Sequence, residues 1–171
     1  FLPTIIFIFH KIHNHYEGVG EQLRISAVVK NIPVEGNIII VPVAGITRVV
    51  ENTLNYAKSL SAQQIIAVYV SFDREEEKKF VQKWKEWQPD IRLVSFHSQY
   101  RSLIQPLTKF VDIVEHKASE SNYQVTVMIP QFIPKKGWHN ILHNQSSLLI
   151  RAFLLYKRNV VITTVPYHLM K

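Results

Sequence analysis

Five short apolar runs recur along the chain, separated by stretches with helical spacing. The runs are 37–43 (NIIIVPV), 64–70 (QIIAVYV), 91–96, 123–130 (YQVTVMIP) and 159–165 (NVVITTV). All five read as strands, and the first two, continuously apolar, read as strands buried on both faces. The intervening segments place apolar residues three and four apart. In 47–60, Val49, Val50, Leu54, Ala57 and Leu60 share one face. In 73–88 the stripe is Phe80, Trp84 and Trp87, with Asp73 and Glu76 spaced as a capping box and Glu75 and Lys79 as an i,i+4 pair. Segment 102–118 turns Leu103, Leu107, Phe110, Val111 and Val114 inward, and 138–156 forms the last helix.

The order βαβαβαβαβ implies parallel strands joined by right-handed crossovers. The expected fold is α/β: a doubly wound, five-stranded parallel sheet ordered 3-2-1-4-5, preceded by an N-terminal helix over 10–25 carrying Ile12, Tyr16, Val19 and Leu23. Such sheets bind ligands beyond the carboxyl ends of their strands, where the order reverses. That place lies between strands 1 and 4, so the relevant loops are 43–48 and 130–144.

Before the first strand, 25–36 has linker character, with Pro33 and Gly36, and the main domain is expected over 37–171. The opening run, residues 1–9 (FLPTIIFIF), is too short to span a bilayer, which takes roughly 20 helical residues. It reads either as a buried strand or helix turn, or as the end of a transmembrane helix with His10, Lys11, His13 and His15 at the cytosolic face.

Composition narrows the function. With 47% hydrophobic and 19% charged residues in 171, the chain is globular and sized for one domain. Cysteine is absent, so no disulfide or thiolate metal site exists. A net charge of +7 favours an anionic partner. Nucleic acid is not the expected one, because no aromatic-basic recognition motif is present.

Catalytic signatures are missing. No G-x-S-x-G elbow, phosphate-binding P-loop or dinucleotide G-x-G-x-x-G follows a strand. The first strand ends in Ala44 rather than an acid, and Asp73 after the second strand is placed to cap a helix. The expectation is a non-enzyme with no catalytic residue, cofactor or metal. His10, His13 and His15 do not converge as a ligand set.

Candidate anion donors cluster at the expected cleft. Arg48 follows Gly45 and Thr47 at the entry to the first crossover helix. Tyr100 and Arg101 follow strand 3. His139, His143 and Asn144 stand at the start of the last helix, where negative charge is favoured. Lys135 and Lys136 add charge to the same rim.

The segments IIVPVAGITR, SFHSQYRSLIQPL, IPQFIPKKGWHNILHNQSSLLIRA and TVPYHL resemble the C-terminal cytosolic domain of APC-superfamily permeases, specifically KUP-type potassium importers of Gram-positive bacteria. The resemblance is carried chiefly by YRSL, LHNQ and VPYHL. It implies a universal-stress-protein-like domain, homodimeric, attached to its own transmembrane domain as the cytoplasmic part of a plasma-membrane protein. It also implies that 1–24 is the end of the last membrane helix with its cytosolic extension. Stress proteins often bind ATP through a glycine-spaced loop after strand 4, but only Gly137 stands there and Ala44 replaces the expected acid. The implied ligand is cyclic di-AMP, which inhibits importers of this kind. Strand-end positions then suggest Val43 and Ala44 for adenine, with Gly45, Thr47 and Gln131 beside them. Arg48, Arg101, His143 and Asn144 are assigned to phosphate, and Tyr69 or Tyr100 to stacking. The alternatives are a dimerisation domain without ligand, or an ATP- or AMP-binding module.

Overall fold

The computed structural model describes residues 2–23, 33–88, 90–98, 102–133, 145–157 and 159–168. The chain divides into two compact units, Phe1–Pro33 and Val34–Lys171. Among the described residues, the first contains one helix, α1 (Leu2–Leu23). The helix takes in the apolar run before His10, so the expected start at 10 is corrected to 2. Ile5, Ile6, Phe7, Ile8 and Phe9 are all exposed. Among the described residues, no helix is long and apolar enough to cross a membrane.

The second unit runs β1 (Gly36–Val43), α2 (Arg48–Ser59), β2 (Gln64–Ser71), α3 (Arg74–Trp87), β3 (Arg92–His97), α4 (Ile104–Glu120), β4 (Tyr123–Ile133), α5 (Gln145–Leu154) and β5 (Val160–His168). All four strand pairings are parallel, in the order β3-β2-β1-β4-β5. This is the expected doubly wound sheet. Several boundaries differ, and β5 runs on past Val165 to His168. β4 runs on past Pro130 to Ile133, and α5 ends at Leu154 rather than 156, while 138–144 lie outside the described residues.

The period-two alternation of the strands sorts the core into two layers. Ile39, Val41 and Val43 of β1 pack with Ala67, Met128 and the α2–α3 residues Val50, Leu54, Ala57 and Trp84. Their neighbour Ile40 faces the opposite way, with Ile66, Val68, Val125 and Val127, against Leu107, Val111 and Val114 of α4 and Ile150 and Leu154 of α5. Each crossover helix thus buries its apolar stripe on the face that its connection reaches.

Helix starts follow their caps. Thr47 Oγ1 accepts from the amide of Val50 at 3.3 Å, opening α2. Asp73 Oδ1 accepts from the amides of Glu75 at 2.7 Å and Glu76 at 3.2 Å, opening α3. The ion pair on that helix is Lys78–Glu75 at 3.1 Å, in place of the expected Glu75–Lys79. The Glu76 amide, then that of Glu75, holds the Asp73 carboxyl below its ordinary pKa. A depressed carboxyl stabilises the fold above its unfolded pKa of about 3.9, and that gain is lost as pH falls through the folded value. Asp73→Asn keeps the cap but not the charge. We expect the wild type to show the higher urea midpoint at about pH 6, with the gap closing below about pH 4. A gap that persists in acid would assign the difference to something other than this charge.

Candidate ligand-binding site

The order of the sheet makes β1 and β4 neighbours that lead into helices on opposite faces. Their ladder stops early. It runs from Gly36↔Tyr123 to Ile40↔Val127. Past that point β1 continues beside β2 alone, to Val43↔Tyr69, and β4 continues beside β5 alone, to Ile133↔His168. Pro42 and Pro130 sit in the two unpaired stretches. Proline has no N–H to give to a ladder, and it is tolerated where one side of a strand is free. The two central strands therefore stop pairing before their carboxyl ends, and that is the crevice position at which a doubly wound sheet takes ligands. The sequence signal for this early stop was the pair of prolines.

On the β1 side, Val43 is 4% exposed and belongs to the α2–α3 core layer. Ala44 is exposed and Gly45 half-buried. A Cβ at Gly45 would meet only Thr47 Cγ2, at 3.9 Å, and no described glycine has positive φ. The fold itself does not demand glycine there, and the missing side chain leaves the backbone approachable. Thr47 spends its hydroxyl on the α2 cap. Arg48 is the first residue of α2 and is exposed. Backbone groups, a helix start and a guanidinium thus meet within five residues, a set suited to an anionic ligand.

On the β4 side, Gln131 is half-buried and lies opposite Pro166 of β5. It shares the carboxyl end of the sheet with Ala44–Arg48, because β1 and β4 are parallel neighbours. Tyr69 is placed differently. Its ring stacks on Phe80 with centroids 3.9 Å apart and planes at 17°, within the aromatic series that continues to Trp84 and Trp87. Tyr100, Arg101, His143 and Asn144 lie outside the described residues, as do Lys135, Lys136, Gly137 and His139.

One feature went unread in the sequence. A groove of about 580 Å³ runs along α3 to the end of β3, lined by Arg74, Glu77, Lys78, Val81, Gln82, Lys85 and His97. It lies at the outer edge of the sheet, away from the β1–β4 crevice. No motif marks it, because His97 joins the α3 residues only through the tertiary fold.

Two comparisons bear on these features. Residues 35–167 match the family described as the KimA potassium transporter C-terminal domain. Over 173 aligned residues the chain is 51% identical to the potassium transporter KimA of Bacillus subtilis (strain 168). The match takes in all of this chain and 28% of that relative, so the chain spans little more than a quarter of the relative's length.

Proposed function

The chain belongs to the family of KimA potassium transporter C-terminal domains, and from that premise we propose that it is the cytosolic regulatory domain of a potassium importer, a homodimer that binds cyclic di-AMP and thereby inhibits transport. In this reading it is a regulator rather than an enzyme, and it acts on the transmembrane part of its own protein.

The observation that carries the ligand reading is the early end of the β1–β4 ladder beside an exposed Arg48. Cyclic di-AMP offers two phosphates, two adenines and a twofold axis. A C2 dimer presents every surface patch twice and so matches such a ligand. Arg48 supplies a fixed fork for phosphate, and the backbone at Ala44 and Gly45 is open to a base. The dimer itself is supported by apolar surface that the unit leaves uncovered. Leu149 and Phe153 share a face of α5 at 45% and 52% exposure, and Val161 of the edge strand β5 is 46% exposed. Inhibition follows where the ligand binds one arrangement of the transporter more tightly than the other.

Titration calorimetry on the 171-residue chain checks this. Cyclic di-AMP is expected to bind with Kd below about 1 mM, which is about −4 kcal/mol or better. ATP is expected to give little heat. Arg48→Ala should weaken cyclic di-AMP by roughly tenfold or more, the size of a lost charge-assisted hydrogen bond. Equal heats for both nucleotides, or none for either, would overturn the ligand assignment. An unchanged affinity in the Arg48 variant would remove that residue from the site.

A further inference from the structure

The groove on α3 has the wrong shape for a small anion and a suitable one for a charged surface. Arg74, Lys78 and Lys85 stand at i, i+4 and i+11, which the helical repeat puts on one flank. That flank is turned away from Phe80, Trp84 and Trp87, the residues that hold α3 on the sheet. His97 adds a fourth basic side chain from the end of β3, the outermost strand. All four are exposed, while Val81 and Glu77 between them are half-buried. The helix as a whole balances its charges, with Glu75, Glu76, Glu77 and Glu86 on α3, but the groove lining holds one acid among its basic residues, and Glu76 and Glu86 fall at other helical angles. Glu77 lines the groove, Asp73 is committed to the cap beside His97, and Glu75 meets Lys78 in an exposed pair that contributes little. Among the described residues, Arg74 and Lys85 take part in no ion pair.

The cations do not converge. From Arg74 to Lys85 the helix rises about 16 Å, so one phosphate cannot meet them together. Spread along a shallow trough that Val81 also lines, they match a layer of separate anions. A membrane transporter's domain has such a layer at hand, and the tether raises the effective concentration of that surface.

We propose that the α3–β3 groove docks this domain on the anionic lipid headgroups of the membrane. The inference rests on the reading of the chain as the cytosolic domain of a membrane transporter. It assigns a surface distinct from the β1–β4 crevice.

The test is sedimentation of the full chain with vesicles of phosphatidylcholine, with and without phosphatidylglycerol. The apolar face of α1 contributes to both, so the quantity read is the ratio between them. The triple variant Arg74→Gln, Lys78→Gln, Lys85→Gln is compared with Lys109→Gln, Lys117→Gln, Arg151→Gln, which removes equal charge from exposed positions outside the groove. Each cation at an anionic surface changes partitioning about fivefold, so the groove variant should lose on the order of a hundredfold of the phosphatidylglycerol preference. The second variant should retain most of it. Equal losses in both would reduce the effect to net charge and overturn the groove. So would a wild type without preference. Displacement by inorganic phosphate, but not by chloride of equal ionic strength, would reassign the groove to a soluble anion and also overturn the proposal. Cyclic di-AMP titration of the wild type separates the two readings. Lost vesicle preference in the wild type with intact nucleotide binding fails the docking surface alone, and the reverse fails the ligand alone.

Discussion

Trp84→Ala is expected to lower the stability of the domain by about 3–5 kcal/mol, a large part of the roughly 5–15 kcal/mol that holds a typical domain together. The side chain is 1% exposed. Its ring meets Phe80 at 5.9 Å and the edge of Trp87 at 5.4 Å, so truncation empties the contact between α3 and the sheet. A second loss adds to the cavity. The indole Nε1–H donates to the carbonyl of Ile91 at 3.0 Å, just before β3 begins. Ile91 is itself buried, and its carbonyl would be left without that partner. Trp84→Phe separates the terms: it keeps most of the apolar volume and loses the donor, with an expected cost of about 1–3 kcal/mol. Urea unfolding of both variants measures the difference. If Trp84→Ala costs less than about 1.5 kcal/mol, packing elsewhere holds α3, and Trp84 is not what anchors it.

The same residue shows why most of this fold was legible. Trp84 recurs four after Phe80 and three before Trp87, and that spacing alone assigned an inner face to α3. The strands were legible for a related reason. Both faces of β1 are covered, so 38–43 is apolar without interruption, and the register then follows from alternation. The end of β4 was not legible, because Pro130 reads as a stop. In the fold it is not one: β4 has already left β1 at Val127 and needs only its β5 side. The expected i,i+4 ion pair on α3 failed because Lys78 reaches Glu75 on the same turn, and exposed pairs of either spacing differ by little.

The candidate site was partly legible. The order 3-2-1-4-5 was enough to bring Ala44, Gly45 and Arg48 to the same end as Gln131. It did not forecast what Tyr69 would touch. Tyr69 lies opposite Val43, and alternation sends both into the α2–α3 layer, where Phe80 takes the ring. Stacking partners are set by packing between elements far apart in sequence, and no local pattern encodes them. The α3 groove escaped for the same reason. Its basic residues look like an ordinary solvated helix face until the end of β3 is placed beside them.

Ile39 and Ile40 of β1 test the two-layer core directly. Both are fully buried, and each is expected to cost about 2–5 kcal/mol on truncation to alanine. They are adjacent in the chain yet share no packing layer. Ile39 belongs to the cluster with Leu54 and Trp84 in the α2–α3 layer, whereas Ile40 belongs to the cluster with Val111 and Leu154 in the α4–α5 layer. Close-packed cores transmit a lost methyl group to neighbours in the same layer, and the backbone of β1 separates these two. Their effects should therefore add. The cycle is best run with Ile39→Val and Ile40→Val, each expected to cost about 0.5–1.5 kcal/mol, so that the double variant stays folded. The coupling should be within about 0.5 kcal/mol of zero. A control pair within one layer, Ile39→Val with Leu54→Ala, should couple more strongly, because both side chains border the same space. Strong coupling between Ile39 and Ile40 would mean that β1 shifts as a unit. The carboxyl end that leads to Ala44 and Arg48 would then move with the core instead of being held fixed by it.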